Sequence, residues 1–165
     1  MTNDAVKRTL EKLTAYENRE KELAREDARI ENIQKTKNKE GSLVWNTLVS
    51  WMETHCADCN SKKGEKKLEF KVDGSNQFQV VLNNLRGKIT LRVVFEPENC
   101  EVSYTRDLGG LANIVDKSIL EGKPEQYFLL EIDGDHFSFT HQGSRVTVEQ
   151  MGETMIEFLL DTLPK

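Results

Sequence analysis

The chain has 165 residues, of which 23 are basic and 28 are acidic, and its formal net charge is −5 at pH 7. A negative chain lacks the positive field that binds nucleic acid non-specifically, so we expect no nucleic-acid partner. No run of about 18 apolar residues is present, so we expect no membrane-spanning segment and no membrane partner.

A long helix over residues 2–39 is the first predicted element. This region contains no glycine or proline and is rich in good helix formers. Glu17–Lys21 and Glu31–Lys35 are spaced i,i+4 in the order that stabilises a helix. Nineteen of the first forty residues are charged. A helix this polar does not have the broad apolar face that a core requires.

The apolar residues of this helix are few but regularly spaced. Tyr16, Leu23 and Ile30 recur every seven residues, while the companion series is acidic at Glu20 and Asp27. The stripe is therefore thinner than that of a full coiled coil. We predict that the helix binds a protein partner, or a second copy in a homo-oligomer, through the apolar side chains Tyr16, Leu23, Ile30 and Ile33.

A helix break is predicted around Gly41, after which Ser42 can cap a second helix over about residues 43–58. The apolar stripe of this second helix suits it to cover a sheet and consists of Trp45, Leu48, Met52, Cys56 and Cys59. The break divides the chain into a helical extension over residues 1–41 and a compact domain over residues 42–165.

Beyond residue 66 the apolar period changes from 3.6 to 2, which is typical of strands. Four runs alternate in this way, at residues 67–72, 78–82, 88–95 and 100–105. Alternation over consecutive runs predicts an antiparallel sheet with one buried face. The expected fold is α+β: an antiparallel sheet of about six strands with helices packed on its main face, preceded by the long charged N-terminal helix.

The second half of the sheet is less regular. A short helix is predicted over residues 111–119, and Asp133-Gly134 predicts a hairpin between a fifth and a sixth strand. Residues 126–132 of the fifth strand are apolar on both faces, including Phe128 and Leu130. Either the chain's own helices cover both faces, or a partner binds there through Phe128 and Leu130.

The last predicted helix begins with a capping box. Thr147 stands at the cap position and Gln150 three residues later, the spacing that lets each side chain bond to the backbone of the other residue. The following residues carry a broad apolar face, which suits a helix that closes a core.

Cys56 and Cys59 form a Cys-x-x-Cys pair, a spacing found at metal and thiol-exchange sites. Both lie on the helix stripe, where a buried cysteine behaves as a small hydrophobe. Their predicted place near the helix C-terminus opposes the thiolate that redox chemistry needs. Core packing is the favoured interpretation, and metal binding by Cys56 and Cys59 is the alternative. Three cysteines and no apolar leader favour a reducing cytoplasm.

No nucleophile–base set, phosphate loop or zinc-protease motif is present in the sequence. We therefore expect a noncatalytic interaction module without a cofactor. A second hypothesis is a small-molecule binder or minor enzyme with a pocket between sheet and helices, for which Tyr104, Glu131 and His136 are the nearest candidates. A third is a metal-binding protein that uses the cysteine pair.

Overall fold

A long helix leads into a meandering sheet, and a shorter helix follows it. The structure, a computed structural model, describes residues 2–85, 87–109, 126–133 and 136–161. The elements in chain order are α1 (Thr2–Lys63), β1 (Leu68–Val72), β2 (Gln77–Asn84), β3 (Gly87–Glu96), β4 (Glu101–Asp107), β5 (Tyr127–Asp133), β6 (His136–His141), β7 (Ser144–Val146) and α2 (Val148–Leu160). The predicted α+β class is confirmed.

The chain divides into two compact units, Met1–Lys37 and Asn38–Lys165. The first unit consists of the N-terminal part of α1, and the second contains the rest of α1, the sheet and α2. The predicted boundary between residues 41 and 42 stays a prediction.

The strands of the sheet follow one another in chain order, and each is antiparallel to the next. The prediction of about six strands is close to the seven observed. The additional strand, β7, has only three residues, too few for an alternating pattern to be recognised. Gln142 and Gly143 have φ values of 52° and 82° in the turn before it. Two successive positive φ angles are typical of a tight hairpin turn, and glycine adopts the second without strain.

The predicted helix break around Gly41 is wrong, because α1 continues through this residue to Lys63. Gly41 is buried, and a Cβ atom built there would lie 3.3 Å from Cζ of Phe95. Glycine here permits close approach of a sheet side chain to the helix, whereas the sequence pattern indicated a terminator. The helix passes through a residue that is intrinsically about 1 kcal/mol less favourable than alanine because tertiary packing favours it.

One face of the sheet packs under the C-terminal part of α1 and under α2, as predicted. Trp45 of α1 stacks on Phe78 and Phe95 with ring centroids 5.4 Å and 5.5 Å apart. The indole Nε1 of Trp45 donates a 2.9 Å hydrogen bond to the carbonyl oxygen of Ser75. Side chains of the helices thus pack against side chains of the sheet, and together they form a single core.

The C-terminal helix α2 begins with the predicted capping box, which is confirmed. The Gln150 backbone N–H donates to Oγ1 of Thr147, and the Thr147 N–H donates to Oε1 of Gln150. Met151, Met155 and Leu159 of α2 are fully buried. The predicted short helix over residues 111–119, and Gly134 of the predicted hairpin, lie outside the described residues.

Candidate functional site

The N-terminal unit exposes its apolar side chains. Every side chain from residue 3 to residue 32 is exposed, and Ile33 is half-buried. Tyr16, Leu23 and Ile30, predicted to bind a partner, are 61%, 58% and 54% exposed. Large apolar side chains that stay in water lose the free energy that burial would supply, about 1.5–3 kcal/mol each.

These exposed side chains form a seam along the helix, which we call the N-terminal seam. It consists of two rows with a seven-residue repeat, spaced three and four residues apart: Val6, Leu13, Glu20 and Asp27 in one row, and Tyr16, Leu23 and Ile30 in the other. Such a spacing keeps both rows facing a second helix when the two wind around each other. The acidic residues in the first row restrict which second helix fits.

Charged side chains beside the seam pair within the helix. Arg29 Nη2 lies 2.6 Å from Oε1 of Glu26, and Lys35 Nζ lies 3.5 Å from Oε1 of Glu31. The hydrogen bond from Arg29 lowers the pKa of Glu26. Both pairs are exposed, so they contribute little to folding and stay available to charges on another chain.

Phe128 and Leu130 do not lie on a surface. They are 0% and 4% exposed and belong to the core, with Phe128 stacked on Tyr104 at a centroid distance of 5.5 Å. Their apolar character is explained by burial beneath the helices of the same chain. The opposite face of β5 carries Tyr127 and Leu129, which are half-buried. Phe128 and Leu130 therefore drop out of the candidate interface.

The cysteine pair lies near the end of α1. Cys56 is 2% exposed, and burial, with a smaller contribution from Cys59, raises the pKa of its thiol to about 12. Cys59 is half-buried, with Sγ 3.7 Å from Nε2 of His55. In the described part of the chain, no three His, Cys, Asp or Glu side chains are grouped to hold a metal ion. Burial of Cys56 favours packing over coordination, because a metal ligand must be a thiolate.

Tyr104 is the second group whose pKa burial raises, again to about 12. Its hydroxyl donates a 2.7 Å hydrogen bond to Oε1 of Gln126. Tyrosine and cysteine are neutral when protonated, so a raised pKa means that these two groups stay protonated to higher pH in the folded state than in the unfolded state. In the unfolded chain the pKa values of these thiol and phenol groups are near 9 and 10. The free energy of unfolding is therefore unaffected by the two groups below those values, and it decreases as the pH rises from them toward 12.

We therefore expect the free energy of unfolding to fall as the pH rises above about 9. The double variant Cys56→Ala/Tyr104→Phe should show a shallower fall, because its two titrating groups are gone. Urea denaturation at several values between pH 8 and pH 11 measures the slope. Cys59→Ala, which removes a half-buried thiol, is the control. An unchanged slope in the double variant would contradict the assignment.

A cavity of about 530 Å³ lies between α2 and strands β4 and β6. Tyr104 and His141 line it, and Nε2 of His141 is buried without a hydrogen-bond partner among the described residues. Of the other candidates for a pocket, Glu131 is exposed, and the side chain of His136 is not among those described.

A second cavity of about 490 Å³, which we call the basic-rim groove, lies between the end of α1, the β1–β2 hairpin and α2. Its lining residues are Cys59, Asn60, Lys63, Lys67, Leu68, Leu82, Asn83, Asn84, Ile156 and Leu160. Only Cys59 was a candidate from the sequence. Residues from four elements, α1, β1, β2 and α2, meet here through the tertiary fold, so no local motif could indicate the whole set.

Asn60 fixes the shape of the basic-rim groove. Its side-chain oxygen accepts hydrogen bonds of 3.0 Å and 2.9 Å from the backbone N–H groups of Lys67 and Leu68. Its side-chain nitrogen donates a 2.7 Å bond to the Leu68 carbonyl oxygen. One side chain thus holds the last turns of α1 against the start of β1.

Comparison of the chain with protein-family models, curated proteins and solved structures found no match. Among the described residues, no helix combines the length and the apolar character needed to cross a membrane.

Proposed function

We propose that this protein is a noncatalytic interaction module that self-associates through the N-terminal seam. The observation that carries the proposal is the exposure of Tyr16, Leu23 and Ile30, each more than half accessible to solvent on a helix with a seven-residue repeat. Pairing with another helix would remove these side chains from water and supply the burial that the described part of the chain does not provide.

A second copy fits this seam in one orientation. A parallel pair would set Glu20 against Glu20 and Asp27 against Asp27, and these like charges repel. In an antiparallel pair Glu20 lies opposite Leu23 of the second copy. The same register brings Arg19 beside Glu26 of the second copy, once at each end of the symmetric contact. Charge complementarity thus favours an antiparallel pair.

Leu23→Asn/Ile30→Asn is expected to weaken self-association of the full chain by at least about a hundredfold. Losing two buried side chains costs about 3 kcal/mol or more, and each 1.4 kcal/mol is tenfold in affinity. Sedimentation equilibrium over a range of concentrations measures the effect. The matched control is Glu11→Asn/Arg25→Asn, which introduces the same residues on the side of the helix away from the seam. The control should associate like the unaltered chain.

Cross-linking tests the orientation in a Cys59→Ser background, where the remaining cysteines are buried. A mixture of Thr9→Cys and Gln34→Cys chains should form mixed disulfide dimers, because these residues are opposed in the antiparallel register. Thr9→Cys alone should not. A monomer at every concentration would reject self-association, and efficient Thr9→Cys self-linking would reject the antiparallel pair.

A further inference from the structure

The floor of the basic-rim groove is apolar. Leu68, Leu82 and Ile156 supply it and are 7%, 8% and 8% exposed, while Leu160 at the edge is 45% exposed. Ligand sites are typically concave, of about 300–1,000 Å³, and apolar with a few placed polar groups. The volume and lining of this groove fit that description.

The rim carries positive charge. Lys63 belongs to the last turn of α1, and Lys67 stands just before β1. Within the described residues, neither ammonium group has a carboxylate within 4.0 Å. Asn60, also in the wall, is occupied by the backbone of the β1 region. Lys63 and Lys67 are the two charged residues of the lining, so recognition of a charged group at this rim falls to them.

We propose that the basic-rim groove binds an anionic amphiphile of the fatty-acid type. Its hydrocarbon chain would lie on Leu68, Leu82 and Ile156, and its carboxylate would lie at Lys63 and Lys67. A peptide fits less well, since those of its backbone N–H and C=O groups that lie over the apolar floor would have no hydrogen-bond partners there. This site is separate from the N-terminal seam and does not depend on self-association.

Cys59 provides a reporter, because it lines the groove and is half-buried while Cys56 and Cys100 are buried. Sodium decanoate, used below its micelle concentration, should slow alkylation of Cys59 in the full chain by about tenfold at ten times its Kd. Intact-mass spectrometry follows the reaction. Decanol lacks the carboxylate and butyrate lacks the long chain, so each should protect Cys59 far less at the same concentration.

Lys63→Glu/Lys67→Glu should abolish protection by decanoate. The matched control Lys62→Glu/Lys66→Glu has the same change of charge on neighbouring exposed lysines outside the groove, and it should keep the protection. Circular dichroism and thermal melting establish that both variants are folded. The proposal is overturned if decanoate leaves the alkylation rate of Cys59 unchanged, or if decanol protects Cys59 as well as decanoate does. It is also overturned if the two double variants show the same protection, or if an acidic peptide protects Cys59 and decanoate does not. Leu23→Asn/Ile30→Asn should retain protection, which separates this test from that of self-association.

Discussion

Gly152→Ala is expected to lower the free energy of unfolding by about 1–3 kcal/mol, the usual cost of overpacking a core. A Cβ atom at this position of α2 would lie 2.0 Å from Cζ3 and 2.4 Å from Cε3 of Trp51. Real side chains do not approach so closely, so the indole ring or the helix must shift. The result is diagnostic because helix propensity alone predicts the opposite sign, a gain of about 1 kcal/mol.

Gly41→Ala provides the matched control in the other helix. Its Cβ would lie 3.3 Å from Cζ of Phe95, a tight contact that a small movement relieves. The gain in helix propensity opposes this contact, so we expect stability within about 1 kcal/mol of the unaltered chain. Urea denaturation of both variants measures the difference. Equal stabilisation by both substitutions would show that α2 does not pack against Trp51 in this way.

Phe128→Ala is expected to cost about 3–5 kcal/mol, the range for removing a large aromatic side chain from a core. The ring is fully buried between Tyr104 and His141, with centroid distances of 5.5 Å and 4.9 Å. The substitution leaves a cavity that its neighbours cannot fill. Chemical denaturation measures the loss in the free energy of unfolding. Self-association should persist under conditions in which the variant is folded.

Tyr127→Ala is the control for Phe128→Ala, since it removes a neighbouring aromatic residue from the opposite face of β5. Tyr127 is half-buried and pairs with Ser103 of the adjacent strand, and such cross-strand contacts contribute about 0.2–1 kcal/mol. If Phe128→Ala abolished association but left stability unchanged, the alternative in which Phe128 contacts a partner would be correct.

Alternation in the sequence was sufficient to assign the core face of strands β2 to β4. Val80, Leu91 and Tyr104 belong to the apolar series of the runs 78–82, 88–95 and 100–105. All three are buried, because a side-chain period of two fixes the face once the register is set. The capping box at Thr147 could also be predicted from the sequence, since its hydrogen bonds join residues within one segment of four. Local chemistry thus predicts elements and faces.

Tertiary contacts set the features that the sequence pattern missed. Gly41 has the same local signal as a helix terminator, and only the approach of Phe95 explains why the helix continues. Phe128 and Tyr127 are both aromatic and stand in an unbroken run with Leu129 and Leu130, so the pattern alone could not assign one to the core and the other to the outer face. The basic-rim groove joins residues far apart in the chain, so its composition emerges only after folding.

The chain order of the sheet affects how the molecule folds. Strands β1 to β4 each pair with a neighbour only a short loop away, so these pairings close small loops and we expect them to form early. Trp45 is different, because one of its stacking partners, Phe95, lies fifty residues later. During synthesis, the face of α1 that carries Trp45 therefore stays partly uncovered until β3 has emerged from the ribosome. The fluorescence of Trp45 would report when Phe95 packs against it.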